Sequence, residues 1–148
     1  MKITLDSTIL VRAFTDSGGL ARRLLLTILE GNHVLVMSNE ILAETSRVLR
    51  YPRMRARHGM SESRIYDYVM FLQSVATMVR PDPTLVAPIR DPNDIIVLQT
   101  AIIGGAEAIC TSDEDFFHTP ALAFLKSVSI SAFTDMELMD RLRSRALR

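Results

Sequence analysis

The feature that most constrains this chain is a recurring alternation. Short apolar runs, each too brief for a helix, are separated by longer stretches with helical spacing. "ITL" ends at Asp6, "HVLVMS" covers 33–38, "AEAICTS" covers 106–112 and "SVSISAFT" covers 127–134. Between them, "GLARRLLLTILEG" (19–31) shows helical periodicity with a glycine stop. "EILAETSRVLR" follows a Ser38 or Asn39 cap, and "ESRIYDYVMFLQSVATMV" (62–79) reads as one long helix. Residues 3–14 read as a strand ending near Asp6, then a turn and an apolar stretch. Beyond the proline-punctuated "RPDPTLVAPIRDPND", residues 94–103 form an apolar helix closed by Gly104-Gly105. "DEDFFHTPALAFLK" reads as a loop with helical pieces, and the tail "DMELMDRLRSRALR" as a helix. Strands alternating with helices predict an α/β domain with a mainly parallel sheet.

The 148 residues suit one domain, with no repeat or linker to divide it. Seventeen basic and seventeen acidic residues cancel, so no global field draws the chain to nucleic acid or membrane. One cysteine, Cys110, cannot form an internal disulfide and sits in an apolar run, as expected of a buried thiol in a reducing compartment. The start "MKITLDSTIL" carries an aspartate where a signal peptide would be apolar, so none is expected, and no run approaches membrane-spanning length. The expected location is the cytoplasm, with no membrane partner.

In a parallel sheet, ligands gather beyond the carboxyl ends of the strands. Asp6 ends the first predicted strand, Ser38 the second and Asp113 the third, while Glu44 lies on the helix leaving the second. Asp94 opens the helix leading into the third. Four carboxylates distant in sequence can therefore converge, which is the oxygen-rich set a hard divalent cation requires. Each also has a plainer use. Asp6 is a good helix cap. At about 100° per residue, Glu44 flanks the buried face of its helix, and Glu40 points further outward. Asp91 reads as the cap before Pro92 and is left out of the site, with Asp94 at the third helical position. If Ser112 caps a short helix, Asp113 falls in its first turn, Asp115 at the capping-box position, and Glu114 faces water.

These segments carry a family resemblance. "LDSTILVRAF" resembles the opening motif of PIN-domain proteins, and "VMSNEILAETSRVL" their second motif. "RDPNDIIVLQTAIIGGAEAICTSDEDFF" is similar to their third and fourth, ending in Thr-x-Asp-x-Asp-Phe. The motifs occur in family order across nearly the whole chain. The "RDPND" form further resembles the branch of VapC-like toxins of toxin–antitoxin systems. One departure is Thr8, where asparagine or serine is common; its hydroxyl can still orient a metal-bound water. The resemblance implies a three-layer α/β/α domain and a magnesium- or manganese-dependent endoribonuclease. It also implies a homodimer held in check by a small antitoxin. Carried over by position, the acidic set is Asp6, Glu44, Asp94 and Asp113, with Asp115 a fifth catalytic candidate.

A nuclease needs positive charge for phosphates. "SRVLRYPRMRARHGMSESR" supplies a local excess in which Arg53, Arg55 and Arg57 are expected in a helix connection, free to contact an RNA backbone. Thr8, Ser38 and Thr111 complete the expected substrate contacts, and Tyr51 offers a ring for stacking. The tail arginines Arg141, Arg143, Arg145 and Arg148 form helix-face charges or a surface for an acidic partner. Two other functions fit the same motifs: a nuclease of RNA maturation or DNA repair, and an inactive module that binds RNA or protein.

Overall fold

In the computed structural model, which describes residues 1–147, every predicted strand forms, and each pairs in parallel. β1 (Lys2–Leu5), β2 (Val34–Met37), β3 (Thr77–Met78), β4 (Ala108–Cys110) and β5 (Ser131–Phe133) stand in the order β3-β2-β1-β4-β5. The chain steps outward from β1 to β3, then crosses back to build β4 and β5 on the other side of β1. Right-handed crossovers taken in opposite directions place their helices on opposite faces, giving the expected α/β/α layering. The order reverses between β1 and β4, whose carboxyl ends form the crevice where such sheets bind ligands. Leu5 pairs with Cys110 there, and the next amide, Asp6 N–H, donates to the Cys110 carbonyl at 3.1 Å.

The helices are α1 (Ser7–Thr15), α2 (Leu20–Glu30), α3 (Asn39–Leu49), α4 (Pro52–His58) and α5 (Glu62–Val75), followed by α6 (Pro92–Ile103), α7 (Thr119–Ser127) and α8 (Asp135–Ala146). Three departures from the sequence expectation have physical causes. The stretch after Asp6 is helix α1, because Ile9, Leu10, Val11, Ala13 and Phe14 all bury. That burial outweighs the modest helix penalty of β-branched side chains. The segment 62–79 is not one helix: α5 stops at Val75, Ala76 is extended, and Thr77–Met78 pairs with β2 as an edge strand. Arg53, Arg55 and Arg57 are not in an irregular connection but on α4. Pro52 starts that helix, and Gly59 closes it at φ 63°, a left-handed conformation suited to glycine.

The main core lies around Ile3, Leu5, Leu24, Leu35, Met37, Leu98, Ile109 and Phe116. A second cluster of Val11, Phe14, Leu49 and Ile65 ties α1 and α3 to α5. Phe14 stacks on Tyr68 at 4.7 Å between ring centres, and the Tyr68 hydroxyl donates to the Leu10 carbonyl at 2.6 Å. Gly104 allows the end of α6 to close on the sheet; a Cβ there would stand 2.1 Å from Val36 Cγ1. Cys110 is fully buried, and burial pushes its thiol pKa up, as the sequence suggested for an inert thiol. Among the described residues, no helix is long and apolar enough to cross a membrane.

Candidate metal centre

Helix starts and strand ends coincide at the β1/β4 crevice, so the residues that cap helices also face one another. Asp6 caps α1 by accepting from Ile9 N–H at 3.1 Å; Ser38 caps α3 by accepting from Ile41 N–H at 3.3 Å. Asp91 caps α6 through Asn93 N–H at 2.8 Å. Asp113, not Ser112, caps the 3-10 turn Glu114–Phe117, accepting from Asp115 N–H at 2.9 Å. Each cap contributes about 1 kcal/mol, and the partial positive charge of a helix N-terminus favours carboxylates nearby.

Oxygens of Asp91, Asp94 and Asp113 come within 4.8 Å of one another. Asp94 is buried, Asp113 half-buried and Asp91 exposed. Asp94 Oδ2 is out of reach of water and has no hydrogen-bond partner. Burial, the close approach of the Asp113 carboxyl, and the charges of Asp113, Asp91 and Asp6 together push the Asp94 carboxyl well above its ordinary range. Asp6 stands beside this set. Its Oδ1 accepts from the Thr8 hydroxyl at 2.5 Å, its Oδ2 accepts from the Thr111 hydroxyl, and Thr8 Oγ1 approaches Ser112 Oγ at 3.4 Å. Burial raises the Asp6 pKa despite these donors.

Three gathered carboxylates, one of them buried with an unpartnered oxygen, suit a hard divalent cation such as Mg2+ or Mn2+, whose charge would offset their repulsion. The residues fit that group. The crevice gathers Asp94 and Asp113 with Asp91, whose position in the sequence reads as a cap, and Asp6 stands beside them. Asp91 does both: its cap spends one acceptor site, and a carboxylate has several.

Other expected site residues stand elsewhere. Glu44 is outside the three-acid set; it lies across the α3–α6 seam beside Asn93 and Ser7, with the Arg47 guanidinium against its carboxylate. Asp115 is also outside the set, on a neighbouring cleft with Arg90 and His118. Ser38 and Thr111, expected to contact substrate, are fully buried. Ser38 Oγ accepts from Thr100 Oγ1 at 2.9 Å, and Thr111 Oγ1 holds Asp6 while accepting from Asp113 N–H at 3.0 Å. Both hydroxyls brace the crevice rather than line it. Thr8 is exposed at its rim, as is Ser112, which sequence reasoning had weighed only as a cap.

The α4 arginines do not join the acids. Helix α3 carries the chain 11 residues from Ser38 to Leu49, about 16 Å at 1.5 Å per residue, before α4 begins. Arg57 and His58 share a cleft with Arg12, Thr15 and Asp16 at the far end of α1. Arg55 leans on Glu62 at 3.6 Å, and Arg50 holds the same carboxylate at 2.5 Å. Tyr51 is exposed before α4. Arg141, Arg143 and Arg145 are exposed on α8, and Arg148 lies outside the described residues.

A family model for the PIN domain matches residues 2–115, which include every acid of the crevice. A solved chain of VapBC2 from Rickettsia felis, bound to a DNA fragment from its promoter, has a similar fold. It aligns with TM-score 0.58 and 14% identity over 90% of this chain and 98% of that one. Comparison with curated proteins returns no match.

Proposed function

The chain belongs to the PIN-domain family, and from that premise we propose that it is a divalent-metal-dependent endoribonuclease, the toxin of a toxin–antitoxin pair. The observation that carries this reading is the gathering of Asp91, Asp94 and Asp113 at the β1/β4 crevice, with the buried Asp94 keeping one oxygen unpartnered. These three residues would hold the ion, Mg2+ or Mn2+, with Asp6 completing the acidic wall. When bound, such an ion supplies Lewis-acid activation of water and charge neutralisation for phosphodiester hydrolysis.

The remaining roles fall to the chain's own groups. Thr111 and Thr8 fix both oxygens of Asp6, so that carboxylate is oriented before substrate arrives. The exposed hydroxyls of Thr8 and Ser112, 3.4 Å apart, would hydrogen-bond an attacking water or a phosphate oxygen. Glu44, held by Arg47 at the α3–α6 seam, acts at the edge of the site. Asp115, whose amide donates to Asp113 at 2.9 Å, would act on substrate from the neighbouring cleft rather than as part of the three-acid set. Arg53, Arg55 and Arg57, at the opposite end of α3, serve only an RNA long enough to span the domain.

The proposed partners are a small antitoxin protein and a second copy of the chain, in the cytoplasm. The fold likeness to VapBC2 supports the first. Exposed Tyr66, Met70, Phe71 and Val75 on α5 support the second.

The deciding experiment compares cleavage of single-stranded and structured RNA with Mg2+, Mn2+ or chelator, for wild type and Asp94→Asn. Cleavage that needs the ion and is lost in the variant is expected. Undiminished cleavage in chelator, or by Asp94→Asn, would overturn the proposal.

A further inference from the structure

Beside the acidic crevice lies a second concavity of about 360 Å3, lined by Pro88, Ile89, Arg90, Asp115, His118 and Pro120. Its size is within the range of small-ligand sites, roughly 300–1,000 Å3. It joins the metal centre along both walls. Arg90 directly precedes Asp91, and Asp115 is held to Asp113 through its own backbone amide. A ligand filling it would therefore abut whatever phosphate sits at the acids.

The lining is chemically specific. Two prolines and Ile89 give apolar walls, while three polar side chains share the space without partners. Among the described residues, Arg90 makes no ion pair or hydrogen bond, and neither the Asp115 carboxylate nor the His118 ring makes a hydrogen bond. Arg23, Arg53, Arg57, Arg64 and Arg80 are likewise unpaired among the described residues, so what sets Arg90 apart is its place in one cleft with Asp115 and His118. Apolar walls suit a flat ring, and a free imidazole suits stacking on it.

We propose that this cleft seats an unpaired base next to the scissile phosphate of single-stranded RNA and selects guanine. The inference rests on the ribonuclease reading and deepens it. An ionised carboxylate only accepts hydrogen bonds. Guanine presents N1–H and N2–H side by side to the two oxygens of Asp115, whereas adenine, cytosine and uracil each place an acceptor beside their donor. An arginine fork matches guanine O6 and N7, the commonest arginine–base contact. Arg90 and Asp115 thus offer opposite charges to complementary edges of one base. An acidic peptide would satisfy Arg90 but be repelled by Asp115, which disfavours a protein occupant.

The test is fluorescence anisotropy of short uridine-rich RNAs with one central guanosine, adenosine or inosine, in chelator and low salt. Wild type should bind the guanosine RNA on the order of tenfold more tightly than the adenosine RNA, the discrimination expected of one good bidentate pair. Inosine, which lacks the N2 amine, should fall between them. Asp115→Asn and Arg90→Ala should each reduce the guanosine preference to about twofold or less while keeping the wild-type circular dichroism spectrum. Equal binding of the three RNAs, binding of none, or a preference unchanged in Asp115→Asn would overturn the proposal. Guanosine-selective binding without metal-dependent cleavage would keep the cleft and remove the nuclease; cleavage without base preference would do the reverse.

Discussion

Replacing Asp94 with asparagine should stabilise the metal-free protein at high pH. Asp94 lies with Asp91 and Asp113, all three contributing oxygens within 4.8 Å, and no cation pairs with any of them among the described residues. At that separation and an effective dielectric constant of about 20, two unit charges repel by about 3.5 kcal/mol. Solvent at the exposed Asp91 screens part of this, leaving about 1–3 kcal/mol to be relieved by the uncharged isostere. For a chain of this length that corresponds to a rise in Tm of about 2–12 °C. The sign follows from linkage. The folded-state pKa of Asp94 is raised above 3.8, so the folded protein holds its proton more tightly than the unfolded chain. Stability from this group is present at low pH and is lost as pH rises towards the raised pKa. Thermal denaturation in chelator at pH 5 and pH 8 separates the cases: Asp94→Asn should gain at pH 8 and little at pH 5. Adding Mg2+ or Mn2+ should reverse the ranking, since an ion at a hundred times its Kd stabilises wild type by about 2.7 kcal/mol. A gain equal at both pH values, or no gain at pH 8, would refute the electrostatic account.

Three further outcomes are expected. Thr111→Val keeps the buried shape but leaves Asp6 Oδ2 and Asp113 N–H without their partner; chemical denaturation should show a loss of about 1–3 kcal/mol, and RNA cleavage should fall with it. Gly104→Ala should cost about 1–3 kcal/mol through overlap with Val36, and a double variant with Val36→Ala should recover part of that, read from a denaturant double-mutant cycle. Glu44→Gln should reduce the Mg2+- or Mn2+-induced rise in Tm less than Asp113→Asn, because Glu44 is outside the three-acid set; equal losses would place it among the ligands.

The sheet was legible because its strands are short apolar runs flanked by cap residues, and the same pattern placed Asp6, Ser38 and Asp113 at strand ends. What stayed hidden was decided by tertiary contacts. "STILVRAFT" is rich in β-branched residues, and only its burial against neighbouring helices makes it α1. The two residues of β3 sit inside a helical pattern, and their strand state exists only through pairing with Val36 and Met37. Helix α4 was different: Pro52 and Gly59 were readable start and stop signals, but its arginines and its lack of buried residues made it look like a loop. The arginine cluster was therefore visible in composition while its distance from the acids was not. Arg90, beside the acids, stood alone in sequence and gave no such signal.

The acids show why caps and ligands resist separation by sequence. Where strands end and helices begin, the backbone needs an acceptor for free N–H groups, and a metal needs oxygens at the same place. Aspartate serves both, so a good capping position is no reason to exclude it: Asp91, Asp6 and Asp113 all cap, and two of them stand in the three-acid set. The distinction comes from what a carboxylate has left over. A cap alone can rest with its remaining oxygen in water. Asp94 caps nothing, is buried against Asp113, and keeps an oxygen with no donor. Among the described residues no ion pair reaches Asp94; those that form engage Asp135, Glu44 and Glu62. A buried acceptor that the protein leaves unsatisfied requires either a proton or an ion from outside, and competition between the two is what the pH dependence of Asp94→Asn measures.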